Sequence, residues 1–443
     1  MTPSWEIPAP SPPGPPASPS AAGDRTAWWI GAVALAGSLF FCLVVYPAAH
    51  QSVGARIDPD QWATMGMSLW KNGVLAYYPG TDPTIYRAPA YPAFLSLVLS
   101  LGGERLWPVS VQVAQCGLFA GTCVLTLALG RELFGRRVGT AAAAAAAVHP
   151  LLIWYTSRFW VESLAAFLFT LLLYAAARCA RGGGPALHAA AGLVLGACIL
   201  LKSVFLPFLA LIPAGLLLAR GRGAVGRALL LAVAAGCVVA PWTARNLRLT
   251  GAFVPVHVGA GINLEIADCT VRAFPREPFA YGPAFLQCKD EFTARHAGDS
   301  APGTALSEHE LALDRAGMRK YLDAYARDPG FLLYKMGFNA VMFWVLSDTL
   351  VKSLGLALLQ VPLVLLGGAG LARAVRRCGW RSASAMLLFL ILGFYLLHLP
   401  INAVARYSAV LLPVLLVFGA SVLAREPGPG AGQPAGRTAL FHG

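Results

Sequence analysis

Charge is scarce in this chain. Only 12% of its 443 residues are Asp, Glu, Lys or Arg, about half the ~25% usual for a soluble globule. A soluble enzyme of ordinary composition is thereby excluded. Acids are the rarest charges, 21 against 34 Lys and Arg. No P-loop, HExxH or GxSxG motif is present, which argues against a soluble nucleotide as substrate. The polar–apolar alternation of a transmembrane barrel is also missing. No basic start leads straight into an apolar core, so residues 1–23 are not a signal peptide. The net charge of +13 does not point to nucleic acid, because the basic residues sit in short clusters between apolar runs, as topology signals do.

What remains is grease. Residues are 57% hydrophobic, in repeated apolar runs. The fold class expected is an all-α polytopic membrane protein, because backbone polar groups in lipid must be satisfied within each segment. The sequence predicts ten spans, at about 27–49, 107–130, 138–154, 160–177, 186–201, 203–219, 228–243, 353–372, 384–400 and 407–424. Two further apolar stretches, 88–102 and 331–347, are expected as helices lying at the interface. One set of connections carries twelve basic residues, in GRELFGRR, RCAR, RGRGAVGR and RAVRRCGWR. The opposite set carries Arg158, Lys202 and Arg406. The positive-inside rule puts the first set and both termini in the cytoplasm.

This divides the chain into a disordered Pro/Ser/Ala-rich tail (1–26), an N-terminal membrane module (27–243) with outer loop 50–106, an outer loop 244–352 with its own helix, C-terminal spans (353–424) and a disordered tail (425–443). Two of nine cysteines, Cys269 and Cys288, lie in the long polar loop. On an oxidising side they make a plausible disulfide; two free thiols are the alternative. The polar residues near outer ends of spans are Asp58, Asp60, Arg87, Arg158, Glu162, Lys202, Arg245, Arg248, His398 and Arg406. Taken singly, each basic residue is as well explained by snorkelling. Taken together, carboxylates and cations facing one compartment fit a general base beside a phosphate clamp.

A series of segments carries a resemblance. Asp58 and Asp60 follow the first span, with Trp62 four residues after Asp58. Then come IYRAPAYP (85–92), LGRELFGRR (129–137), HPLLIWYTSRFWVES (149–163), PWTARN (241–246), GAGIN (259–263), ARDPGFLLYKMGFNAVMFW (326–344) and ARYSAVLLP (405–413). In order and spacing, over about 25–424, the chain resembles the GT-C glycosyltransferases, in the family 39-like branch of protein O-mannosyltransferases and lipid A aminoarabinose transferases. The resemblance implies an inverting transfer of a sugar from a polyprenyl-phosphate donor to a lipid, polysaccharide or protein acceptor. The expected place is the outer face of a bacterial cytoplasmic membrane.

It also implies roles. Asp58 matches the general base by its distance from the aromatic residue. Asp60 fits the DxD spacing, and either acid is also a candidate cap for the helix that follows. The family's commoner pair is Asp-Glu or Asp-Ser, whereas Pro59 separates two aspartates here. Arg87, Lys202 and Arg406 match donor-phosphate positions. Glu162, with Arg158 as partner, and Arg245 and Asn263 match acceptor-side or orienting positions; Arg245 fits a structural ion pair equally well. No cofactor is expected, although Asp58 and Asp60 have the oxygen chemistry of a divalent-metal site. The rivals are a secondary transporter or flippase, which calls for inverted repeats not seen here, and a lipid-linked O-antigen ligase, which would need paired His and Arg in the outer loop.

Overall fold

A computed structural model describes residues 25–49, 58, 60–273, 281–296, 304–347 and 349–424. Apart from Arg25, Thr26 and the start at 58, the expected tails and the head of outer loop one lie outside these residues. Among the described residues the architecture is helical throughout, with one isolated bridge between Ala76 and Pro83.

The helices are α1 Arg25–Phe40, continued by a π turn Phe41–Val45 and a last turn Tyr46–Ala49, then α2 Trp62–Asn72, α3 Ala90–Gly102, α4 Trp107–Phe134, α5 Arg136–Ala147 and α6 Pro150–Thr156. The middle of the chain forms α7 Glu162–Ala180, α8 Pro185–Leu201, α9 Phe208–Arg220 and α10 Val225–Thr250. Next are α11 Ala260–Ala273, α12 Tyr281–His296, α13 Leu306–Arg327 and α14 Pro329–Val345. The last are α15 Leu350–Cys378, α16 Ala383–His398 and α17 Leu412–Leu423, the last preceded by a 3₁₀ stretch Ala405–Leu411.

Among the described residues, seven helical segments are long and apolar enough to cross a membrane: 25–45, 104–134, 162–180, 203–220, 222–250, 350–378 and 405–423. Three details differ from the ten expected spans. The third, 138–154, is two helices, α5 and α6, bent by 54°. The break falls at His149, which is extended (ψ 117°) before Pro150, since proline disfavours helical geometry in the residue it follows. The fifth and ninth are helices α8 and α16 of 17 and 16 residues, about 24–26 Å long at 1.5 Å per residue and shorter than a ~30 Å core. The seventh does not stop at 243. It continues through Pro241 to Thr250, because its last turns are pinned. Trp242 Nε1 donates to Val256 O at 2.7 Å, and Asn246 Nδ2 donates to Val254 O and Val256 O.

With lipid tails as apolar as the side chains, packing rather than water exclusion holds such helices together. The inner contact is aromatic. Phe169, Phe205, Phe208 and Phe394, from α7, the turn before α9, α9 and α16, have neighbouring ring centroids 5.2–5.9 Å apart. His398 extends this cluster, its ring 4.6 Å from that of Phe394.

The outer segments are stitched to each other. Glu310 of α13 is buried, and accepts from Thr84 Oγ1 at 2.6 Å and from Ile85 N at 2.8 Å. Ile85 also packs with Val254, Val258 and Leu311. Asp314 Oδ1 accepts from the backbone N–H groups of Gly259 (2.9 Å) and Gly261 (2.7 Å). Gly261 and Gly317 meet where α11 crosses α13, so closely that a Cβ on Gly261 would strike the Asp314 carbonyl. Cys269 and Cys288 form a disulfide joining α11 to α12.

Candidate active site

The two aspartates of outer loop one do different things. Between them and α2 stands Gln61, left-handed at φ 58° and the one non-glycine residue with positive φ among those described. Such a backbone is costly and persists where its surroundings fix it. The turn brings Asp58 against the start of α2. Its Oδ1 accepts from Trp62 N at 2.8 Å and its Oδ2 from Ala63 N at 2.7 Å. Asp58 thus satisfies two of the donors that a helix start leaves orphaned. Burial pushes its carboxyl up to about 6, against the pull of those two backbone bonds.

Asp60 turns the other way, into a cavity of about 220 Å³. Its Oδ2 lies 3.4 Å from Arg406 Nη1, longer than a well-formed hydrogen bond. Burial alone raises the Asp60 carboxyl, but Arg406 and Arg87 outweigh it and hold it below the ordinary value. Asp58, which the spacing favours as base, caps the helix and is not among the residues lining the cavity; Asp60 is.

Five other positions supply the rest of the wall described here. Arg87 lies over the ring of Trp62 (4.8 Å) and that of Tyr86 (5.1 Å), and makes no hydrogen bond or ion pair among the described residues. Lys202 ends α8, where its Nζ reaches Glu162 Oε1 at 3.3 Å and sits 4.9 Å from the Tyr407 ring. Glu162 opens α7, its side chain 2% exposed, with Oε2 buried and unpartnered. Arg406 lies over Trp160 and Tyr407, with Nη2 3.4 Å from the Tyr407 hydroxyl. Asn263 lines the same cavity and holds the Gly259 carbonyl at 2.6 Å.

His257, His398, Tyr86, Tyr407 and Trp160 also line it; Tyr86, Trp160 and Tyr407 fall inside segments that carry the resemblance, whereas His257 falls in none. Burial keeps His257 below the ordinary imidazole value. His398 is packed: its Nδ1 meets Phe394 O at 2.8 Å and its ring lies beside Phe394, Phe343 and Tyr407.

Two expected residues are elsewhere. Arg158 stacks on Trp160 (4.4 Å) and Trp154 (5.9 Å) and is not on the cavity wall. Arg245 is a strut. It lies over Trp242 (4.3 Å) and donates to Thr84 O (3.1 Å), Asn246 Oδ1 (3.0 Å) and Leu75 O (3.5 Å). It thereby ties α10 to outer loop one and is not among the residues lining the cavity. The two aspartates do not fit a divalent cation either. Asp58 spends both oxygens on backbone donors and Asp60 faces two arginines, and no group of three His, Cys, Asp or Glu gathers among the described residues.

Three basic side chains against two carboxyl side chains leave this cavity one formal positive charge in excess. Arg406 and Lys202 already have acidic neighbours, so Arg87 is the cation left over. The arrangement can hold an anion of low charge beside a carboxylate.

A family model of dolichyl-phosphate-mannose-protein mannosyltransferases matches residues 86–244. No curated protein matches the chain by sequence. Among solved structures, the Archaeoglobus fulgidus oligosaccharyltransferase AglB, in complex with an inhibitory peptide and a dolichol-phosphate, is 15% identical. That match covers 91% of this chain and 50% of that one, with a TM-score of 0.55. The same enzyme tethered to an acceptor peptide is also 15% identical, over 90% of this chain and 49% of that one, with a TM-score of 0.56. The chain thus spans about half the length of these archaeal structures. ArnT from Cupriavidus metallidurans bound to undecaprenyl phosphate overlays more loosely, at 14% identity, 90% and 78% coverage and a TM-score of 0.44. The chain has the GT-C glycosyltransferase fold.

Proposed function

We infer, from the GT-C fold and the cavity at Asp60, that this protein is an inverting glycosyltransferase moving a sugar from a polyprenyl-phosphate donor to a hydroxyl acceptor at the outer face of the membrane. The observation that carries this reading is the convergence of Asp60, Arg87, Lys202 and Arg406 on one wall. A sugar phosphodiester carries a single negative charge, which matches the single excess positive charge; a diphosphate carries more. The matching segment 86–244 includes Arg87, Glu162 and Lys202. A disulfide in the outer segment and basic residues gathered on the opposite connections support the outer face.

In this reading the donor phosphate settles against Arg87 and draws Lys202 and Arg406 from their acidic partners. Asp60, released from its long contact with Arg406, takes the proton of the acceptor hydroxyl. Glu162 Oε2, buried and open, accepts a hydrogen bond from the acceptor. The hydroxyl oxygen bonds to the anomeric carbon as the bond from that carbon to the phosphate oxygen breaks. The electron pair leaves with the polyprenyl phosphate, whose growing charge the cations stabilise. The displacement is a single one, so configuration inverts.

The test is transfer from a synthetic polyprenyl-phosphate mannose to total membrane acceptors by the purified full chain. Asp60→Asn is expected to lower the rate by about 10²–10⁴-fold, the usual worth of a positioned base. Asp58→Ala should cost far less rate, and about 1 kcal/mol of stability through the cap. Full activity in Asp60→Asn would remove the base, and transport of the donor with no new glycosidic bond would favour the flippase reading. We also propose that cationic side chains stand in for a metal. Chelation with EDTA should leave the rate within about twofold, against the 10³-fold scale of losing a main electrostatic stabiliser; a loss restored by Mg²⁺ or Mn²⁺ would refute this.

A further inference from the structure

A second cavity, about 270 Å³, lies between α11 and α13. Its floor holds Glu265, Asp268 and Tyr321, and its rim Arg272, Arg295 and Lys320. Glu265 Oε1 takes both Arg295 Nη1 and Lys320 Nζ at 2.6 Å. Asp268 Oδ1 takes the Tyr325 hydroxyl at 2.7 Å and Lys335 Nζ at 2.5 Å. Each carboxylate therefore keeps one oxygen with no hydrogen bond among the described residues. Arg272 stacks on Phe331, 3.6 Å from the ring centroid, and leaves its N–H donors free of any hydrogen bond or ion pair among the described residues. The other lining is small: Gly317, Ala324 and Cys269 of the disulfide.

These groups select a class of ligand. Both acids are already neutralised, so the floor offers little to a cation. The apolar part of the wall is confined to small side chains and to the stems and rings of the polar residues, so a lipid tail gains little here. What is offered is a ring of acceptors and donors at close quarters, with an aromatic side chain. That suits a molecule whose neighbouring hydroxyls both give and take hydrogen bonds. The volume is just under the ~300 Å³ at which ordinary ligand pockets begin, room for one small ring.

The two cavities share supports. Asn263 lines the first and sits on α11 with Asp268, five residues or ~7.5 Å along the axis at 1.5 Å per residue. The Tyr321 hydroxyl donates to Pro400 O at 2.6 Å, beside Ile401 and Asn402 of the first cavity. We propose that the second cavity is a saccharide subsite, which holds one hexopyranose residue of a glycan acceptor whose reacting hydroxyl lies in the first. Its link to the acceptor rests on the transfer reading above; its binding of sugar does not.

The experiment is saturation-transfer NMR on the full chain in lipid nanodiscs. The probes are methyl α-D-mannopyranoside, its gluco and galacto counterparts, and inorganic phosphate. Wild type is compared with Arg272→Ala, Ala324→Phe and Asp60→Asn, the intact disulfide and thermal midpoint serving as the check on folding. At least one glycoside should bind wild type and Asp60→Asn alike. Arg272→Ala should weaken it by about tenfold, the loss of one charged hydrogen bond, and Ala324→Phe should abolish it. No glycoside bound to wild type, equal binding in all four proteins, or phosphate bound in place of glycoside each overturns the subsite. If Asp60→Asn keeps glycoside binding but also keeps transfer, the base assignment fails and sugar binding stands.

Discussion

Asp58 and Asp60 sit two residues apart and respond to pH with opposite sign. The Asp58 carboxyl is raised to about 6 from an ordinary value of 3.8. The folded protein holds that proton more tightly than the unfolded chain does. Its contribution is therefore present below about pH 4 and is lost as pH rises through 6. The Asp60 carboxyl is lowered, so its contribution is present above the ordinary carboxylate range and is lost as pH falls through it. Subtracting the melting profile of Asp58→Asn from that of wild type should give a difference that falls between about pH 4 and 6. The Asp60→Asn subtraction should rise with pH over the acidic range. Two differences of the same sign would contradict the assignment of cap and cavity. The polar outer rim was legible as a group: Asp60, Arg87, Glu162, Lys202, Asn263 and Arg406 all reach one wall. Which aspartate faced it was not, because that hangs on a left-handed Gln61, a conformation no residue type there announces. His257 was illegible for another reason: it reaches the wall by tertiary folding, and nothing in its neighbours' spacing marks it.

Among elements, the crossing of α11 and α13 is the tightest made by the outer segments, glycine against glycine. Gly261→Ala must push these helices apart, at about 1–3 kcal/mol for an overpacked contact. Gly355→Ala, in open space on α15, should be neutral or gain up to ~1 kcal/mol in helix propensity. Thermal melts of the two variants check this, and equal midpoints would show that the crossing tolerates a methyl. The helices themselves follow from composition, since apolar runs that cannot leave a backbone group unpaired must coil. Their ends followed less well. PWTARN reads as the close of a span, yet Trp242, Arg245 and Asn246 find partners that carry α10 to Thr250. The same extension turns Arg245 toward Thr84 and Leu75, which is why an apparent site arginine is a strut.

For the whole molecule, the site is a property of the finished chain. Thr84 and Glu310 are 226 residues apart, and Asp60 and Arg406 are 346 apart. No contiguous stretch contains the cavity, and the fold is what brings its charges together. Order of synthesis then matters. Asp60 leaves the ribosome 346 residues ahead of its arginine, a delay of roughly 20–70 s at 5–20 residues per second. For that time the nascent protein carries an acid with Arg87 and later Lys289, but not Arg406, to offset it, and the cavity is complete only when the final span has been inserted.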